Sequence, residues 1–234
     1  MINHNLRCIY VHIPKTAGNS VNRVFGVQWE NHKDLARYAG EVTPEQFRRY
    51  YKFAIVRNPF ARILSDYNYQ CKKSRPEASK LFLRKDSGEK RNFREWIEAA
   101  LAEPHRYPAE AWGGEVSPGI HRLSPQLDWL TVDGHVAVDE IIRLEELPES
   151  FSRICGEVGL PPLVLPHRNS RFHWPYSWYY DDGARRLVAD YYARDLELLG
   201  YRFETPGSRI FNFSRKARPS LILTPSLMTN SCSP

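Results

Sequence analysis

IYVHIPKTAGNS at residues 9–20 and FAIVRNPFARILSDY at residues 53–67 decide how this chain is read. Each is a short apolar run that yields to a loop and then to apolar residues at helical spacing, the pattern of a strand feeding a helix. In the first, Cys8–Ile13 is the strand, Pro14 and Gly18 interrupt it, and Val21, Val24 and Phe25 resume with a helical period. In the second, Phe53–Val56 is the strand, Asn58 suits the N-cap and Pro59 the first helical position, so a helix over 59–69 is expected.

Both junctions are suited to holding a phosphate. The N–H groups that open a helix lack intrahelical partners and carry the positive end of its dipole, so they attract anions. In the loop Lys15-Thr16-Ala17-Gly18-Asn19-Ser20, the lysine adds a mobile charge, Gly18 permits close backbone approach, and Thr16, Asn19 and Ser20 offer donors. A Walker A loop places Gly-Lys-Ser/Thr at the helix start, whereas here the lysine precedes the glycine by three residues. The lysine therefore stands at the strand's end, within reach of a leaving group's bridging oxygen. No aspartate follows an apolar strand to complete a magnesium site, which favours metal-free transfer. Arg57 ends the second strand and Ser65 lies about two helical turns on, so a guanidinium fork and a hydroxyl can share one phosphate.

These residues carry a family resemblance. PKTAGNS resembles the loop that binds the 5′-phosphosulfate in sulfotransferases, and RNPFARILS resembles their 3′-phosphate motif. With RLEELPESF, LPHRNS and YYARDLELLGYRF further on, the pattern over about residues 8–204 is similar to the carbohydrate-type branch of that superfamily, sulfotransferase family 2. The resemblance implies an α/β, P-loop-like three-layer fold with a central parallel sheet flanked by helices. It implies 3′-phosphoadenosine 5′-phosphosulfate (PAPS) as donor, no required metal, and a carbohydrate or other hydroxyl-bearing acceptor. Lys15 would stabilise the departing phosphate, while Arg168, Ser170 and Arg171, in a late loop that folds over the nucleotide in relatives, would reach its phosphates.

Histidine is the side chain whose ordinary pKa suits removal of a hydroxyl proton near neutrality. His32 falls between the two phosphate motifs, where relatives of the heparan 2-O-sulfotransferase type place a base. His121, in the loop HRLSPQ, is a second candidate and Glu30 a third, while His12, at the end of the first strand, reads as structural. Two other readings stay open from the residues alone: a P-loop kinase acting on a small molecule, and a non-catalytic nucleotide- or RNA-binding module.

Composition fits an enzyme with one sizeable core. The 234 residues are 42% hydrophobic with 13 Tyr, 11 Phe and 6 Trp, enough to fill a single α/β domain over 1–206. Beyond Pro206 the chain turns to Ser, Pro, Arg and Asn, and 207–234 reads as a poorly ordered tail. No membrane span or signal peptide is evident, which points to a cytoplasmic, bacterial setting. Cysteines 8, 71, 155 and 232 show no close spacing and read as reduced thiols. The formal charge of +6 suits a polyanionic donor without marking a specific nucleic-acid partner. The basic stretch 72–91 is either a solvated loop or a contact to donor or acceptor.

Elsewhere Thr43–Gln46 and Asn92–Glu95 are capping boxes, opening helices that carry Phe47, Tyr50 and Tyr51 in one case and Phe93, Trp96, Ile97 and Leu101 in the other. Residues 104–125 read as a long loop lining an acceptor cleft. Val136–Leu144 reads as a buried strand, Pro148–Val158 as a helix, and Ala184–Leu199 as one amphipathic helix stopped by Gly200. Arg143 and Glu145 read as support at a strand end.

Overall fold

The computed structural model describes residues 1–26, 31–72, 89–106, 114–163 and 175–205. Its strands are β1 (Ile2–Asn3), β2 (Cys8–Val11), β3 (Tyr51–Val56), β4 (Thr131–Val132), β5 (His135–Val136) and β6 (Glu140–Arg143). The central sheet has the order β1-β2-β3-β6, and β4 and β5 form a separate antiparallel pair. β2, β3 and β6 run parallel, with Val11 beside Ala54 and Val56 beside Arg143, so their carboxyl ends open on one edge. The first residues add β1 antiparallel to β2, a pairing too short to be read from sequence.

Helices are α1 (Gly18–Val24), α2 (Leu35–Gly40), α3 (Pro44–Arg49), α4 (Pro59–Lys72), α5 (Phe93–Ala102), α6 (Leu147–Glu157), α7 (Asp182–Tyr191) and α8 (Ala193–Leu198). Alternate strand residues face two different layers, as the pleat requires. Ile9, Val11, Ala54 and Val56 pack with Leu35, Tyr38, Trp129 and Leu130. Cys8, Tyr10, Phe53, Ile55 and Ile142 pack with Val21 of α1, with Phe25 just beyond it, and with Phe151 and Ile154 of α6 in one cluster. The fold is thus mixed α/β in three layers, with a largely parallel sheet buried on both faces. A further cluster joins α4, α5 and α7 through Phe60, Trp96, Ile97, Val188 and Tyr192.

Local signals decide several boundaries. Thr43 with Gln46 and Asn92 with Glu95 both form complete capping boxes. The Asn58 carboxamide accepts from the Phe60 N–H at 3.1 Å, and α4 runs to Lys72 rather than stopping near 69. Tyr50 and Tyr51 leave the helix instead of riding on it, because Tyr50 is extended (ψ 135°) and Tyr51 pairs with Cys8.

Two longer readings are corrected. Val136–Leu144 is not one strand: Val136 ends β5, paired with Thr131 of β4, and the chain then crosses to the central sheet, where the Asp139 N–H donates to the Lys52 carbonyl at 2.7 Å and β6 begins at Glu140 beside Phe53. Ala184–Leu199 is broken at Tyr192, and Gly200 (φ 66°) follows the second helix. The break lets the Tyr192 hydroxyl reach the Leu123 carbonyl at 2.6 Å and Asp195 turn inward, fully buried, where its carboxylate accepts from the N–H groups of Gln126 (2.7 Å) and Leu127 (3.1 Å). Tertiary hydrogen bonds here outweigh helical continuity. Cys8 and Cys155 are buried free thiols and Cys71 an exposed one.

Asp195→Ala strands those buried N–H groups, and we expect it to lower stability by about 3 kcal/mol in urea unfolding. Arg194→Ala, which removes only a surface pairing with Asp128, is expected to change stability by less than about 1 kcal/mol.

Candidate active site

Past β2 the Ile13 N–H turns back to the Val11 carbonyl (3.2 Å), and two non-glycine residues, Lys15 (φ 72°) and Ala17 (φ 69°), take the left-handed conformation. Such backbone costs roughly 1–3 kcal/mol per residue and is characteristic of ligand loops. The buried Thr16 hydroxyl donates to the Ile13 carbonyl at 2.9 Å, so it braces the loop and its proton is already engaged. Ala17 is the N-cap of α1 and supplies no side-chain cap, while its carbonyl accepts from the Ser20 N–H at 2.9 Å. Asn19 is exposed and Ser20 half-buried.

The end of β3 lies beside this loop. Arg57 Nη1 is 3.4 Å from the Lys15 carbonyl oxygen. Gln126 clasps the Arg57 backbone from both sides, accepting from its N–H and donating to its carbonyl, each at 2.8 Å. The Asn58 N–H donates to Glu145 (3.2 Å) and its carboxamide donates to the Arg202 carbonyl (2.9 Å), while Arg143 holds the carbonyls of Leu199 and Gly200. Burial lowers the Arg57 pKa, with Glu145 and Tyr201 opposing, and the guanidinium forms no ion pair among the described residues.

Lys15 reaches across to α4, its Nζ 4.2 Å from the centroid of the Tyr69 ring, within cation–π range. The Arg122 guanidinium approaches the same ring at 5.4 Å and forks onto Asp66 in a fully buried ion pair, Nε–Oδ1 2.7 Å. Ser65 lies one turn before Tyr69 on the same face of α4, and its hydroxyl has no hydrogen-bond partner among the described residues.

His32 closes the group. Its Nδ1 is 2.8 Å from the His12 carbonyl oxygen, which can only accept, so Nδ1 carries the proton and Nε2 the lone pair. Burial lowers its pKa to about 4, the His12 hydrogen bond and Asp66 opposing and the Arg122 and Lys15 charges reinforcing. His121 faces a different set of residues: its Nε2 is 3.4 Å from the Tyr191 hydroxyl, and Arg62 and His105 are its neighbouring charges. The structure thus gathers Lys15, Arg57 and His32, sets Ser65 on the adjoining helix face, and places His121 against α7. Glu30, Arg168, Ser170 and Arg171, the tail 207–234 and most of the basic stretch 72–91 lie outside the described residues.

Sequence reading missed Tyr69, Arg122, Asp66 and Gln126. A signal existed in α4, where Arg62, Asp66 and Gln70 recur at i, i+4 on a face the structure buries. Nothing local marks Arg122 as their partner.

The profile described as "Sulfotransferase family" matches residues 1–202. The chain belongs to the sulfotransferase family. This sulfotransferase-family chain is similar to the crystal structure of a sulfotransferase from Alicyclobacillus acidocaldarius, at 14% identity and a TM-score of 0.41, covering 80% of this chain and 92% of that one. No curated protein matches it. No helix among its described residues is long and apolar enough to cross a membrane.

His32 and His121 both fall from an ordinary 6.5 to about 4, so between those values the unfolded chain binds more protons than the native one. The stability from burying neutral imidazoles is present above about pH 6.5 and is lost as pH falls toward 4. We expect melting temperature to drop across that window, and to drop less steeply in His32→Asn, whose amide can still donate to the His12 carbonyl. Equal slopes in thermal melts from pH 7 to 4.5 would show that His32 carries none of the effect.

Proposed function

We propose that this sulfotransferase-family chain transfers a sulfuryl group from PAPS to a hydroxyl of a carbohydrate or glycoconjugate, without a metal ion, in the cytoplasm. The observation that carries this reading is the half-buried Arg57 guanidinium, without an ion pair among the described residues, set 3.4 Å from the backbone of a strained, uncapped loop bearing Lys15. A cation withdrawn from water favours an anionic partner. Two such grips at neighbouring strand ends suit a nucleotide with phosphates at two separate places.

In this reading Arg57 and Ser65 hold the 3′-phosphate. The backbone from Thr16 to Ser20 and Lys15 hold the 5′ end. Transfer needs positioning and charge stabilisation more than covalent help from the protein. His32 Nε2 takes the proton of the acceptor hydroxyl as its oxygen bonds to sulfur; the S–O bond to the 5′-phosphate breaks, and Lys15 stabilises the charge left on that phosphate. A base with a pKa near 4 is weak, but the Lys15 and Arg122 charges contribute to that value. Phosphate beside Lys15 offsets them and moves His32 upward.

Calorimetry with 3′,5′-bisphosphoadenosine in EDTA tests the reading. Wild type is expected to bind, and Arg57→Ala to bind at least about tenfold more weakly. Lys15→Ala is expected to lower kcat by about 100-fold or more with a smaller change in Kd, measured with labelled donor against a panel of glycans and glycolipids. Binding that requires magnesium, with ATP preferred over the bisphosphate, would overturn it.

A further inference from the structure

We infer that His12 is a positioning residue: its imidazole is wedged between the phosphate loop and His32 and sets their separation, and residue 18 is glycine to admit that ring rather than to admit the nucleotide. The inference rests on the reading of His32 as the base, in that it gives the spacing a use.

The steric observation comes first. A Cβ built on Gly18 would lie 1.9 Å from His12 Cδ2 and Nε2 and 2.4 Å from Cε1, so the edge of the imidazole occupies the place of a side chain. Gly18 is not among the residues with positive φ, and it opens α1, where any L-residue is accommodated by the backbone. Space for the ring is therefore what the described structure requires of this position.

The other side of the ring meets His32. The two imidazole centroids are 4.2 Å apart at 51°, and the His12 carbonyl accepts from His32 Nδ1 at 2.8 Å, which leaves His32 Nε2 with its lone pair. His12 thus touches His32 through both ring and backbone. Tyr10, two residues earlier on β2, stacks near the ring at 6.0 Å and 15°, limiting its freedom.

Packing alone does not explain a histidine here. The residue is 8% exposed and its Nδ1 has no hydrogen-bond partner among the described residues, an arrangement that destabilises a fold and that an apolar side chain would avoid. Burial, then His32, Lys15 and Arg122 among its neighbouring charges, keep the ring neutral. A flat, neutral wedge can separate a cationic loop from a base without adding charge to either.

Three variants decide it: Gly18→Ala, His12→Ala and the double variant, with His12→Asn in place of His12→Ala if the latter proves too unstable to purify. Gly18→Ala is expected to lower the melting temperature and to weaken 3′,5′-bisphosphoadenosine binding about tenfold, as overpacking does. Removing the ring from that background is expected to restore both to within about threefold, or a few degrees, of the His12 variant alone. Nitrogen NMR is expected to show the Nδ1-protonated tautomer of His32 in wild type and a mixture without the ring, because the residue-12 carbonyl remains but nothing then holds the His32 imidazole at hydrogen-bond distance from it. Equal penalties for Gly18→Ala with and without the ring would overturn the steric claim, and an unchanged His32 tautomer would overturn the positioning claim. If wild type fails to bind the bisphosphate, the donor reading falls, while the melting temperatures still test the wedge.

Discussion

A single carboxylate ties the working edge of the sheet together. Asp195 is fully buried and accepts from the backbone N–H groups of Gln126 and Leu127 and from the Gln126 carboxamide, which in turn closes on both sides of the Arg57 backbone. Hydrogen bonds to a buried charge are among the stronger ones a protein makes, and their loss leaves several donors unsatisfied. Through this clasp the break in the C-terminal helices, the loop 121–127 and the end of β3 are held in one register. The Arg57 backbone is gripped by Gln126, 69 positions further along the chain, which is itself fixed by Asp195 another 69 positions on.

The same loop delivers Arg122 to Asp66, and this pair carries the constraint into α4. Removing one partner of a buried ion pair leaves an uncompensated charge, so the two act as a peg between loop and helix. Tyr69, one turn further along α4, then presents its ring to Lys15, and the Lys15 loop is met by a surface whose position was set elsewhere. The C-terminal segment 199–204 adds a strap over the same edge: Tyr201 donates to Glu145, the Asn58 carboxamide donates to Arg202, and Arg143 grips the Leu199 and Gly200 carbonyls. Glu145 and Arg143 serve here as supports of the strand ends.

How much of this could be read from sequence follows from the range of each interaction. Thr43–Gln46, Asn92–Glu95 and Asn58–Phe60 are decided within a few residues, and their signals are complete in the local sequence. The strand-loop-helix junctions at Lys15 and Arg57 are local too, so the two loops can be named before anything is known of how they meet. The change of partner between Val136, which pairs with β4, and Glu140, which pairs with β3, is not local, so the apolar run 136–144 reads as one strand. By contrast the break at Tyr192, the inward turn of Asp195 and the pairing of Arg122 with Asp66 depend on segments far apart in the chain, and no window of sequence contains both partners. Gly18 illustrates the difference at one residue: its presence was legible, whereas the neighbour it accommodates, the His12 ring, emerges only when the loop is folded.

The electrostatics of the site follow from these placements. The Lys15, Arg57 and Arg122 segments meet at one edge: Arg57 Nη1 lies against the Lys15 carbonyl, Lys15 and Arg122 approach the Tyr69 ring, and Arg122 pairs with Asp66 of α4. Positive charge brought together out of water repels itself, and the protein limits that cost by keeping the two adjacent imidazoles neutral through burial. A polyanion beside these cations would relieve their repulsion and remove part of what keeps His32 unprotonated, burial being the larger part. On the proposed reading, donor binding and the basicity of His32 would be coupled through the same charges, and His32 would be better suited to take a proton with the leaving phosphate beside Lys15.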